Sequence, residues 1–136
     1  MSIFKDNLLK LKELVENNLP QILNIAGLTA LDEYVLGGPS DEDLLSMGFY
    51  LGPGDQDPEQ IRFKPVIQLQ LKGVKYSDSV EYFDKVHDYL NSIDEVKIGM
   101  TAKERFNYTE FPPDETGTTI YTFYPEYLKQ LDDCYE

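Results

Sequence analysis

A chain of 136 residues is near the commonest size of one domain and long enough to bury a core, so residues 1–136 are expected to form a single α+β domain. Twenty-five Asp and Glu against twelve Lys and Arg leave a net charge of −13, which argues against binding to the outside of nucleic acid or to anionic membranes, because both need cationic patches. The single cysteine, Cys134, excludes an intrachain disulfide and fits a reducing compartment, and no run approaches the roughly 18 apolar residues of a membrane helix; a soluble, cytoplasmic protein is expected.

Along the chain, Ile3, Phe4, Leu8, Leu11, Leu14 and Val15 recur at helical spacing, with Lys5, Lys10, Lys12, Glu13 and Glu16 on the other side. This predicts a helix over residues 3–17, ended by Asn17, Asn18 and Pro20. Residues 21–36 fit either a second helix opened by Pro20 or a short strand after a turn. Residues 37–59 then hold five glycines, three prolines and six acids with no Lys or Arg, the composition of a surface excursion, expected over 37–60. Within it, residues 47–51 carry Phe49 and Tyr50 and predict a short strand before the Gly52-Pro53-Gly54 turn.

Residues 62–76 alternate Ile67, Leu69 and Leu71 against Gln68, Gln70 and Lys72, which predicts a strand with one buried and one wet face. Pro65 marks an edge position or the start of that strand. Asp78 with Glu81 three residues later is a helix cap signal, and Val80, Phe83, Val86, Leu90 and Ile93 follow on one helical face. Val96, Ile98 and Met100 alternate as a further strand. Phe106 and Tyr108 belong to another, separated by the turn at residues 112–117 from a strand at 118–124, and these two are expected to pair as a hairpin. Pro125 and Glu126 predict a short C-terminal helix with Leu128, Leu131 and Tyr135 on one side. The sum is a mixed or antiparallel sheet of about four strands, packed by an N-terminal and a central amphipathic helix.

Charge follows this map. Residues 61–110 hold eight acids and eight Lys or Arg and are neutral, whereas residues 41–60 carry −6 and residues 111–136 carry −5. The central strand and helix form a neutral platform, and the acidity lies on either side.

The candidates for chemistry are few. His87 is the only histidine, so no triad or His-rich metal site can be built from one chain, and its place beside Val86 is that of a boundary residue. Asp55, Asp57 and Glu59 set carboxylates on alternate residues, as hard cations prefer. However, Gln60 stands where an EF-hand loop needs glycine, and no glutamate closes the loop, so a solvated acidic loop is the expectation and no metal is assigned. Cys134 lies among Asp132, Asp133 and Glu136, a field that disfavours a thiolate. Gly52-Pro53-Gly54 lacks the lysine and helix of a phosphate loop. No catalytic residue and no cofactor are expected.

Aromatic residues concentrate instead near the C-terminus. Tyr121, Phe123, Tyr124, Tyr127 and Tyr135, with the acidic Asp55, Asp57 and Glu59, are the expected surface for protein partners or for self-association. Ile120, Thr122 and Tyr124 face away from Tyr121 and Phe123, so both faces of the sheet carry apolar bulk. The central helix is expected to cover one face, and the first helix or a neighbouring subunit the other.

The N-terminal helix, the acidic excursion, the Phe63-Lys-Pro-Val-Ile-Gln-Leu-Gln-Leu strand, the Ser77-Asp-Ser-Val-Glu-Tyr-Phe helix and the closing hairpin together resemble the small phage tail-terminator and tail-completion proteins. The resemblance is one of element order over most of the chain. It implies a ring, commonly of six copies, that ends a tail tube and lets DNA pass through an acidic lumen, with no catalytic residues and a virion-associated location. The expectation is therefore a non-enzymatic assembly protein, a homo-oligomer; the alternative is a monomeric acidic module that engages a basic partner.

Overall fold

The computed structural model describes residues 3–23, 29–31, 45–52, 55–56, 60–73, 76–113, 115 and 117–130. In chain order they form α1 (Ile3–Leu23), β1 (Thr29–Leu31), β2 (Leu45–Leu51), β3 (Asp55–Gln56), β4 (Gln60–Phe63), β5 (Pro65–Lys72), α2 (Tyr76–Ser92), a 3-10 helix (Glu95–Ile98), β6 (Ala102–Phe111) and β7 (Thr118–Gln130). The fold is α+β as expected, although the described residues form one sheet of seven strands where about four were expected.

Two interruptions and the added β1 account for the extra strands. β4 pairs Phe63 with Tyr127, and β5 pairs Ile67 with Phe123, both antiparallel to β7. The register is the same in both, and it sets Pro65 opposite Pro125. Neither proline has an N–H to donate, so the ladder breaks there although the ribbon continues. On the other side, β2 runs antiparallel to β5 and β3 antiparallel to β4, joined through the Gly52 N–H, which donates to the Lys64 carbonyl at 2.9 Å. A Cβ at Gly52 would lie 2.5 Å from that oxygen, which is why glycine occupies the corner. β1 adds in parallel to β2, and among the described residues β6 pairs only with β7.

Both helices lie on one face of the sheet. Leu11, Val15 and Leu19 of α1, Val86 and Leu90 of α2, and Phe49, Ile67, Leu69, Tyr121 and Phe123 of the strands share one core cluster. Of the two covers expected for the second face, the first helix is therefore corrected, since it shares the face of α2. The opposite face is largely polar along its centre: Gln70 donates to Gln68 at 3.3 Å, and Gln68 to Thr122 at 3.5 Å. Gln70 and Thr122 are themselves buried, at 7% and 2% exposure, so these hydrogen bonds satisfy polar groups withdrawn from water, and the wet face expected of this strand is corrected.

Burial also explains where the elements depart from the sequence signals. α1 does not stop at residue 17 but runs through Pro20 to Leu23, because Leu19 and Leu23 are buried in the core and their burial outweighs the weak stop signal. α2 begins at Tyr76, so Asp78 lies within the first turn and complements the helix dipole rather than capping the helix. Val80, expected on its buried face, is exposed, while Ser79 is buried. Residues 95–98 are not a strand: Asp94 accepts the Val96 N–H at 3.0 Å as an N-cap, and Gly99, at φ 80°, ends the 3-10 turn in left-handed backbone. Val96 is 69% exposed as a result.

The C-terminal helix expected to open at Pro125 does not form among the described residues, since β7 continues through Pro125 to Gln130. Tyr127 supplies the reason: it is buried between Phe63 and Lys103, its partners on β4 and β6, and a helix turn would withdraw it from both. Leu131, Cys134 and Tyr135 lie outside the described residues, as do most of the acidic excursion and residues 24–28 and 32–36 of the ambiguous segment. That segment contributes residues 21–23 to α1 and residues 29–31 to β1.

Candidate functional site

The last hairpin, β6 and β7, carries the residues of interest, and α2 lies across it. From α2, Phe83 packs on Tyr121 at 4.6 Å between ring centroids, on Tyr108 at 4.8 Å and on Phe123 at 5.7 Å. One turn later His87 meets the Phe106 ring edge-on at 5.0 Å and Tyr108 at 5.7 Å, and it contacts the Asp88 carboxylate at 3.4 Å. These offset and edge-on geometries are the ones aromatic rings prefer, and such contacts contribute about 0.5–1.5 kcal/mol per pair beyond area. His87 thus serves packing at the border of the core, in keeping with its boundary position in the sequence.

Both ends of α2 are tied to β6. At its start the Tyr76 hydroxyl donates to Glu110 at 2.5 Å, and at its end Lys103 Nζ donates to Asn91 Oδ1 at 2.7 Å and to the Asn91 carbonyl. The acid thus sits beside the helix N-terminus and the base beside its C-terminus, the order the helix dipole favours. Lys103 Nζ is also 5.9 Å from the Phe106 ring centroid.

Titration follows burial. Tyr121, buried with its hydroxyl unpartnered, is pushed up to about 12 by desolvation, with the Glu110 charge adding to the shift. Tyr127 is raised by burial and by Glu95, and Tyr76 by its hydrogen bond to Glu110. Tyr89 is raised by burial, partly offset by a hydrogen bond with Asn18. Each shift keeps a phenol neutral, away from the range useful for proton transfer near neutral pH.

The predicted contact residues separate. Tyr121, Phe123 and Tyr127 fill the protein's own core, at 2%, 0% and 1% exposure, because they are alternate residues of β7 on the helix side. They present nothing to a partner, and that expectation is corrected. Tyr124 points the other way and is 38% exposed. Asp55 is paired through the backbone with Arg62, while Asp57, Glu59 and Tyr135 lie outside the described residues. Among the described residues no three His, Cys, Asp or Glu come together to hold a metal ion. No described helix is long and apolar enough to cross a membrane.

Tyr108 and Phe111 of β6, at 48% and 57% exposure, are surface aromatics outside the predicted contact residues. Phe106 and Tyr108 alternate as in any half-buried strand, and only the topology of the described residues makes β6 the outer strand. The available signal was the charge order along β6, basic at Lys103 and Arg105 and acidic at Glu110.

These elements define an α+β protein with two helices on one side of a mostly antiparallel sheet. No family model matches the chain, and no curated protein matches it. Among solved structures, the chain is similar to the core region of PilO from the type IV pilus system of Pseudomonas aeruginosa, with a TM-score of 0.36 and 14% identity over 68% of this chain and 85% of that one.

Proposed function

We propose that this chain is a non-enzymatic structural or assembly protein that works by binding protein partners, copies of itself among them. The observation that carries the proposal is the exposure of Tyr108, Phe111 and Tyr124 on the last hairpin, while the remaining aromatics of β7 stay in the core. Exposed tyrosine and phenylalanine on a rigid strand favour contact with protein, since they cover large areas at low entropic cost. The neutral span of residues 61–110 lowers repulsion between copies in a chain of −13.

The phage tail terminator is the particular form implied by element order, with six copies in a ring and an acidic lumen that lets DNA slide. It would place the protein in the virion after cytoplasmic synthesis. The competing reading, a monomeric acidic module on a basic partner, rests on the same net charge. Light scattering after size exclusion, with negative-stain imaging, separates them. Rings or smaller closed oligomers support assembly, and a strict monomer at high concentration, alone and with tail components, refutes it.

A further inference from the structure

β6 is ten residues long and bonds to β7 along one edge; among the described residues nothing pairs with its other edge. Seven of its ten residues are exposed. A long unpaired edge is a template for another strand, and proteins usually guard it with charges or a bulge. β6 carries both, but their arrangement does more than guard.

The bulge lies between Lys103 and Arg105. Glu104, the extra residue, turns its carboxylate back across β7 to Arg62 at 3.2 Å. The extra residue also shifts Lys103 onto the sheet face of Phe106, Tyr108 and Glu110, since these four pair with Tyr127, Pro125, Phe123 and Tyr121, alternate residues of β7. Along the helix side the edge therefore reads base, aromatic, aromatic, acid. On the other face it reads Ala102, Arg105, Asn107, Thr109 and Phe111.

That order is complementary to its own reverse. With a second strand laid antiparallel and centred on Asn107, Lys103 stands opposite Glu110 of the other copy, and Phe106 opposite Tyr108, each twice by symmetry. On the far face Arg105 meets Thr109, Ala102 meets Phe111, and Asn107 meets itself. Registers must slip by two residues to keep the faces aligned. One such slip sets Lys103 opposite Tyr108, and the other sets Phe106 opposite Glu110; both lose the ion pairs. Lys103 and Glu110 keep capacity for a second partner beyond Asn91 and Tyr76, because an ammonium has three donors and a carboxylate about four acceptor positions. The four charged residues of β6 sum to zero, so the contact adds no repulsion of its own.

We propose that a second copy of this chain pairs antiparallel along β6 about a twofold axis at Asn107, joining the two sheets into one with the helices on the same side. The proposal narrows the assembly reading to one surface and one symmetry. It is separable from that reading, since a six-copy ring needs head-to-tail contacts while this contact closes on itself.

The test uses the full chain under a reductant, so that Cys134 forms no crosslink. Sedimentation equilibrium is expected to show a dimer, weakened about tenfold by either Lys103→Glu or Glu110→Lys, which turn two attractive cross-strand pairs into repulsive ones. The double swap Lys103→Glu with Glu110→Lys restores the pairs and is expected to return affinity to within about threefold, although it does not restore the bonds to Asn91 and Tyr76. On the unaltered chain, hydrogen exchange at alternate β6 amides is expected to slow as concentration rises. A dimer whose affinity ignores both single swaps, or is not restored by the double swap, overturns this contact while leaving self-assembly intact. A monomer at about millimolar concentration with unchanged β6 exchange overturns it outright.

Discussion

A double-mutant cycle on Asn7 and Gly99 examines how α1 is anchored to the 3-10 turn. Asn7 is 8% exposed, and its Nδ2 donates to the Ile98 carbonyl at 2.7 Å, across 91 residues of sequence. Asn7→Ala withdraws that donor from a buried acceptor, a loss of about 1–3 kcal/mol. Gly99→Ala holds a side chain in left-handed backbone at φ 80°, which costs about 1–2 kcal/mol. It also sets the new Cβ 2.8 Å from Asn7 Nδ2, so the amide must leave its bond and part of the first loss is incurred as well. Once Asn7 is gone, only the backbone strain remains. The double variant is therefore expected to lose about 1 kcal/mol less than the sum of the single variants. Urea unfolding of the four proteins with linear extrapolation measures this. Additivity to within about 0.5 kcal/mol would refute the reasoning, because independent sites add to that precision.

Further outcomes follow from burial. Leu19→Ala, one residue before Pro20, is expected to cost about 2–5 kcal/mol in the same unfolding assay; a loss below about 1 kcal/mol would mean that α1 stops where its proline suggests. Tyr121→Phe removes a buried hydroxyl that has no partner, so stability is expected to hold within about 1 kcal/mol or to rise, and a loss above about 2 kcal/mol would point to a bond from that oxygen. Tyr121 binds its proton more tightly in the folded chain, at about 12 against an ordinary 10, so its contribution is complete below pH 10 and is lost as pH climbs through about 12. Tyr127 shifts in the same direction. Tyrosinate absorbance is expected to show these two ionising together with unfolding, and early ionisation without loss of structure would contradict their burial.

Much of the candidate surface was hidden from the sequence. Tyr121, Phe123 and Tyr127 have the composition of an interface, but alternation along β7 turns all three toward the helices. Tyr108 and Phe111 have the same composition one strand earlier and are exposed, because among the described residues β6 has a neighbouring strand on one side only. Apart from the charge order along β6, nothing local distinguishes the two cases; the difference is the number of strands beyond each one.

What the sequence determined by itself is whatever depends on neighbours a few residues apart. Helical spacing set α1 and α2, alternation set β5, and the turn at residues 112–117 set the last hairpin, since these are contacts of short loop closure. The tertiary structure decided the rest: that α1 passes Pro20, that β7 runs through Pro125, that facing prolines split one ribbon into β4 and β5, that both helices take one side, and that β6 is left at the edge. Each of these turns on partners tens of residues away, whose burial outweighs a local preference of about 1 kcal/mol or a few.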